Sequence, residues 1–125
     1  MQQKITHFRQ LNVYSLAKNV ANTIYEMSKS FPVEEKYSLT DQILRSSRSV
    51  CANLAEAWRR RRYKAAFIAK LNDCESECSE TQVWLEFAKD HGYINDAMFV
   101  TLDADCEQII GKIVTMANQS EKWIL

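Results

Sequence analysis

Apolar residues recur at intervals of three and four along most of this chain, which is the period of a helix with one buried face. Leu11, Tyr14 or Ser15, Ala17 or Lys18, Ala21, Ile24 or Tyr25 and Ser28 predict a first helix from about Phe8 to Ser30. Pro32 ends it, because proline cannot continue the hydrogen-bond ladder. A second helix begins near Ser38, with Leu39, Ile43, Val50, Leu54 and Ala57 on one face. The run Ser38-Leu39-Thr40-Asp41 predicts a cap in which the serine oxygen accepts from first-turn amides. A third helix covers about Lys64 to Asp90, and Gly92 is a natural left-handed stop. Asn95 caps a fourth, from about Asp96 to near Lys122, with Leu102, Ile109 or Ile110, Ile113 and Met116 or Ala117 facing inward.

Between Val33 and His91 there is neither glycine nor proline. One continuous helix of that length would reach about 85 Å at ~1.5 Å per residue. A small domain cannot cover such a rod, so the chain must double back, and the polar run from Arg59 to Lys64 is the place. Four helices with short connections predict an all-α, up-down-up-down four-helix bundle, a single domain over residues 1–125.

Composition supports this reading. Two glycines and one proline are too few for a β-rich fold with many turns. No apolar run approaches ~20 residues, so no membrane span is expected. The opening MQQKITHFRQ lacks the apolar core of an export signal, which makes the cytoplasm the expected compartment. Cys51, Cys74, Cys78 and Cys106 sit within helical pattern and are expected as reduced thiols, mostly in the core.

The formal net charge is zero, but the charge is unevenly placed. Ser38 to Lys64 holds seven basic and two acidic residues, whereas Ala65 to Gly92 holds two basic and six acidic. From Tyr93 onward there are two basic and five acidic residues. On a regular second helix Arg45, Arg48, Arg59 and Arg62 fall within an arc of about 100°, opposite the apolar stripe. Ala52 and Ala55 lie among them and leave the guanidinium groups accessible. Glu56 is expected to pair with Arg59 or Arg60; a continued helix would point Arg61 into the core, so the helix is expected to fray or end by about Arg60, or to have cleared the core there. Such a face can gather nucleic-acid phosphates. It can equally be a solvated helix face, or pair with the acidic third and fourth helices within or between subunits.

Other chemistry is poorly supported. Cys74 and Cys78 share a helical face, but a metal site needs about four ligands and neither His7 nor His91 is near in sequence. Di-iron bundles require Glu-x-x-His motifs that are missing. Ser46, Ser47 and Ser49 read as small residues that let helices approach. Asn53, at the margin of the core stripe, is expected to fix helix register, and Glu80 to meet a second-helix arginine. Trp84 suits a core or a subunit seam, and Trp58 leaves the core stripe toward a neighbour, so both are expected at an oligomer interface. Base stacking is the rival role for Trp58 and Tyr63.

Phe8, Leu11 and Ala17, then Phe31-Pro32-x-x-Glu35, Leu39-x-x-Gln42-Ile43, Arg45-Ser46-Ser47-x-Ser49-Val50 and Asn53-Leu54-Ala55-Glu56 form a recognisable series. Phe67, Leu71, Glu80, Leu85-x-x-Ala88 and Gly92-Tyr93-Ile94 continue it. In these residues the chain resembles the four-helix bundle proteins of the 23S rRNA intervening-sequence family. The related accessory variability proteins of diversity-generating retroelements are similar. The resemblance implies a four-helix protomer and a ring-shaped homopentamer. In the retroelement branch it also implies contact with nucleic acid through basic residues and a reverse transcriptase as partner. The chain departs from the family pattern at Ala57, where glycine is common, and at Ser76-Glu77, where a small Gly-Ser pair is frequent.

The expectation is therefore a non-catalytic homo-oligomer with no cofactor. It binds nucleic acid, RNA in preference to DNA, through Arg45, Arg48, Arg59, Arg60 and Arg62. The alternative is a scaffold or accessory subunit that binds a protein partner and has no nucleic-acid activity of its own.

Overall fold

The computed structural model describes residues 4–125. Four α-helices carry the fold: α1 (Asn12–Ser28), α2 (Leu39–Arg59), α3 (Lys64–Asp90) and α4 (Asp96–Asn118). Short 3-10 turns at Phe8–Gln10, Val33–Glu35 and Ser120–Lys122 flank them. Each helix packs against its neighbours in sequence, and α4 closes the bundle on α1. Among the described residues no helix is long and apolar enough to cross a membrane.

The core is the inner stripe of each helix. Ala17, Val20 and Ile24 of α1 meet Ile43, Val50 and Leu54 of α2, with Phe67, Leu71 and Leu85 of α3 and Leu102, Ile109 and Ile113 of α4. The expected α2 stripe is buried in full. Val13, Val20 and Met27 of α1 are buried as well, so the apolar face of that helix is broader than the expected positions. Cys74, Cys78 and Cys106 are core residues, and Cys51 is half-buried. The Cys74 thiol, 3.8 Å from the Val50 carbonyl, is pushed up to about 12 by burial. A hydroxyl pair crosses the α2–α3 seam, where Thr81 Oγ1 donates to Ser46 Oγ at 2.8 Å, and within α2 Ser47 Oγ donates to the Ile43 carbonyl at 2.7 Å.

The helix ends show how local chemistry sets boundaries. The first helical segment is interrupted at Leu11, which is extended (φ −69°, ψ 129°). His7 and Gln10 form a reciprocal cap around the preceding turn, so the chain begins α1 afresh at Asn12. At the other end of α3, Gly92 takes φ 77°, and the amides of Gly92 and Tyr93 reach the carbonyls of Lys89 and Ala88 at 3.0 and 2.8 Å. That paired closure satisfies two carbonyls the helix leaves open, and only glycine adopts it without strain. Asn95 caps α4 by accepting from the Met98 amide at 2.8 Å. The fourth helix stops at Asn118, and a 3-10 turn continues to Lys122.

The expected serine cap of α2 does not form. Ser38 makes no side-chain bond to the first-turn amides; its hydroxyl donates instead to Glu35. Glu35 takes over the capping role and accepts from the Leu39 amide at 3.3 Å. It also accepts from the Tyr93 hydroxyl at 2.9 Å, which ties the α1–α2 connection to the α3–α4 connection. An ionised carboxylate near a helix N-terminus is a stronger acceptor than a serine hydroxyl, which explains the exchange.

The Ser38 and Tyr93 hydrogen bonds hold the Glu35 carboxyl below its ordinary value of 4.5. A lowered native pKa means that its stabilisation is present above that ordinary value and is lost as pH falls through the native one. Glu35→Gln should lower Tm by roughly 5 °C at neutral pH, through weakened acceptor bonds worth about 1 kcal/mol. The gap between variant and parent should narrow as thermal melts are taken from pH 6 down to acid.

Candidate nucleic-acid interface

Burying the apolar stripe of α2 turns Arg45, Arg48 and Arg59 outward, and all three are exposed. They do not form one ridge. Arg45 leans toward α3, pairs with Asp41 at 3.8 Å, and shares a polar pocket of about 280 Å³ with Gln42, Ser46, Ser49, Glu77 and Glu80. Burial, reinforced by Glu80, raises the Glu77 carboxyl, and Arg45 acts in the opposite direction. Glu80 lies in this pocket beside Arg45 without forming an ion pair to it. Arg48 leans the other way, toward α1, with its guanidinium carbon 5.8 Å from the centre of the Tyr25 ring.

Beyond Arg59 the helical projection no longer holds. Arg60 is the C-cap of α2, its amide donating to the Ala57 and Glu56 carbonyls, and Arg62 lies in the turn before Lys64. Arg59, Arg60 and Arg62 thus form an exposed cluster at the α2–α3 end of the bundle. That cluster is about 16 Å along the helix axis from Arg48 at 1.5 Å per residue.

Glu56 does not pair with Arg59 or Arg60. It pairs with Lys70 of α3 at 3.1 Å, and Lys70 also reaches Asp73 at 3.6 Å and the Asn53 side-chain oxygen at 3.5 Å. The Lys70 side chain is only 23% exposed, so its stem crosses the α2–α3 seam and delivers the ammonium directly to Glu56. Asn53, half-buried at the edge of the stripe, thus touches α3 through Lys70. Among the described residues, Arg48, Arg59, Arg60 and Arg62 make no ion pair.

Arg61 behaves differently from its neighbours. Its guanidinium lies 3.4 Å from the centre of the Trp58 ring, its Nε donates to the Trp58 carbonyl at 2.8 Å, and Nη1 reaches the Trp123 carbonyl at 3.4 Å. Lys64 and Glu121 pair at 2.7 Å beside it. Trp58 is 5% exposed and meets Trp123 edge-on at 6.4 Å. The outward reach expected of Trp58 is not observed: the C-terminal turn folds back over it and makes it part of the protomer's own core. An intramolecular lid of this kind is invisible to a single-helix projection. Trp84 is half-buried against Phe87 at 6.1 Å, and its indole Nε1 is buried with no acceptor among the described residues.

The geometry thus sorts the basic residues into a free end cluster, a free arginine on the α1 side, one arginine on an acidic seam, and a structural clamp. A family model described as 23S rRNA-intervening sequence protein matches residues 9–115. The chain belongs to the 23S rRNA-intervening sequence protein family. A crystal structure from Bacteroides thetaiotaomicron, described as a protein with unknown function from the S23 ribosomal protein family, has the same architecture. It superposes with a TM-score of 0.76 at 30% identity, over 84% of this chain and 97% of that one. No curated protein matches the sequence.

Within this family member, sequence reasoning overlooked the outer face of α1. Lys18, Asn22 and Tyr25 recur there at steps of four and three and stand opposite Arg48. The same periodicity that places the core also predicts this row, but it shows only once α1 and α2 are known to be adjacent.

The division between free and clamped arginines is testable. Arg61→Ala should cost about 2 kcal/mol, through lost stacking on Trp58 and lost bonds to two carbonyls, and lower Tm by several degrees. Arg59→Ala and Arg62→Ala should leave Tm within about 1 °C, since exposed unpaired cations contribute little. Differential scanning calorimetry on the three variants checks both halves.

Proposed function

We propose that this protein is a non-catalytic, homo-oligomeric nucleic-acid-binding protein that prefers RNA to DNA. One observation carries the reading: Lys70 occupies Glu56 and thereby leaves Arg59 and Arg60 unpaired, so that with Arg62 they form an exposed cationic cluster at one end of the bundle. Guanidinium groups held open in this way match phosphate oxygens in charge and geometry. The exposed Tyr63 beside them offers a ring on which a base can stack. The family description, which ties its members to an intervening sequence of 23S rRNA, favours RNA.

Assembly strengthens a modest patch. Three arginines on one protomer give weak binding, whereas a ring of five presents the cluster repeatedly to one strand and gains by effective concentration. The Trp84 indole supports such an interface. The ring packs against Phe87, which is 44% exposed, and exposed aromatic surface of this kind is enriched where a second copy docks. In this reading a homopentamer buries Trp84, while Trp58 stays in the core.

The second reading, a scaffold for a protein partner, draws on the exposed apolar side chains Val33, Tyr37, Val83 and Phe87. Salt separates the two. Binding of a structured RNA should weaken with salt, and Arg59→Ala, Arg60→Ala and Arg62→Ala should each reduce the log–log slope by about 0.7 to 0.9. A monomeric mass in light scattering would overturn the ring. RNA affinity that is absent at ~50 mM salt, alongside a salt-insensitive protein complex, would favour the scaffold.

A further inference from the structure

A groove of about 340 Å³ runs between α1 and α2, remote from the α2–α3 turn. Tyr14, Lys18, Asn22 and Tyr25 line one wall, and Arg48 and Cys51 the other, with the small side chain of Ala21 between them. No lining residue is acidic, and the two that are charged are both cations. Neither Lys18 nor Arg48 makes an ion pair among the described residues. A chain with as many acidic as basic residues has left this concavity without a carboxylate.

The remaining groups are those a nucleotide needs. Tyr14 is half-buried and fixed edge-on against Phe8 at 5.0 Å, so the far end of the groove is held before any ligand arrives. Tyr25 is 43% exposed and already attracts cations, with Arg48 at 5.8 Å and Lys29 at 4.8 Å from its ring centre. Its exposure leaves part of the ring as a π-surface, and a base that stacks there displaces a cation held only by the ring. Asn22 can both donate and accept, which suits the hydrogen-bonding edge of a base. The volume lies in the range of small-ligand sites and fits one nucleotide rather than a duplex.

We propose that this groove seats a single unpaired nucleotide of a nucleic-acid strand. Its base stacks on Tyr25 and its phosphate is held by Lys18 and Arg48, while Tyr14, about 16 Å away along the helix axis, closes the far end of the groove. The proposal rests on the nucleic-acid reading above and adds a preference to it: strands with unpaired bases over continuous duplex. The arginines of the end cluster have no such preference, because phosphates are alike in both, and any preference that comes from stacking on Tyr63 would survive Tyr25→Leu.

The test compares oligo(U) of about 12 nucleotides with a blunt RNA duplex of similar length, by fluorescence anisotropy at fixed salt. The parent protein should bind the single strand roughly tenfold tighter than the duplex. Tyr25→Leu should remove that advantage and leave duplex binding and the salt slope unchanged. Lys18→Met should lower the slope for the single strand alone by about 0.7. Oligo(U) should also slow alkylation of Cys51, the half-buried thiol in the groove wall, without any variant being needed. Equal binding of strand and duplex, with Cys51 unprotected, would overturn the groove and leave the end cluster standing. No binding of either RNA would overturn both. Uridine monophosphate competing at the same concentration as oligo(U) would overturn the assignment to a strand and mark a free-nucleotide site.

Discussion

Leu39, Ile43, Val50, Leu54 and Ala57 must leave water, and α2 meets that requirement by lying between α1 and α3. A helix cannot bury one face without presenting the opposite one, so the same constraint fixes where the arginines of α2 stand. It also divides them. Arg45 and Arg48 are three residues apart and so diverge by about 60° around the axis. In a helix flanked on both sides, that angle sends one toward the carboxylates of α3 and the other toward the face of α1 that carries Lys18, Asn22 and Tyr25 and no carboxylate. The functional asymmetry of the molecule follows from packing rather than from any separate design of the surface.

Most of the fold was legible because helices in a bundle obey one period throughout. The bounds of α3, the glycine stop at Gly92 and the cap at Asn95 depend only on nearby residues, and each is where the sequence puts it. The departures arise where a distant group competes with a near one. Glu35 displaces Ser38 as the cap of α2 because a carboxylate outbids a hydroxyl for an amide. Lys70 takes Glu56 from the arginines one turn away because it reaches across the seam with its charge already partly shielded from solvent. Trp58 is covered by a turn from the far end of the chain.

The site shows the same division. Exposure of Arg48 and Arg59 follows from the wheel, whereas the end of α2 at Arg59 changes what Arg60, Arg61 and Arg62 can do. Four adjacent arginines of identical chemistry end in two roles, one of them structural, because only Arg61 has an indole and two carbonyls within reach. Composition alone cannot make that distinction. The groove opposite Arg48 lies beyond sequence reading for a related reason: it is formed by two helices, and neither carries it by itself.

The thiols of the core have a consequence for the lifetime of the molecule. Cys74 and Cys106 are held protonated by burial and by neighbouring groups, and a protonated sulfur is a poor nucleophile toward oxidants. Their protection lasts only while the bundle stays closed. Each global opening releases sulfurs that regain ordinary acidity, and a mispaired bridge formed in that interval prevents return. In an oxidising setting, endurance is then governed by the fraction of time the bundle stands open, because a small helical bundle recloses faster than its sulfurs oxidise.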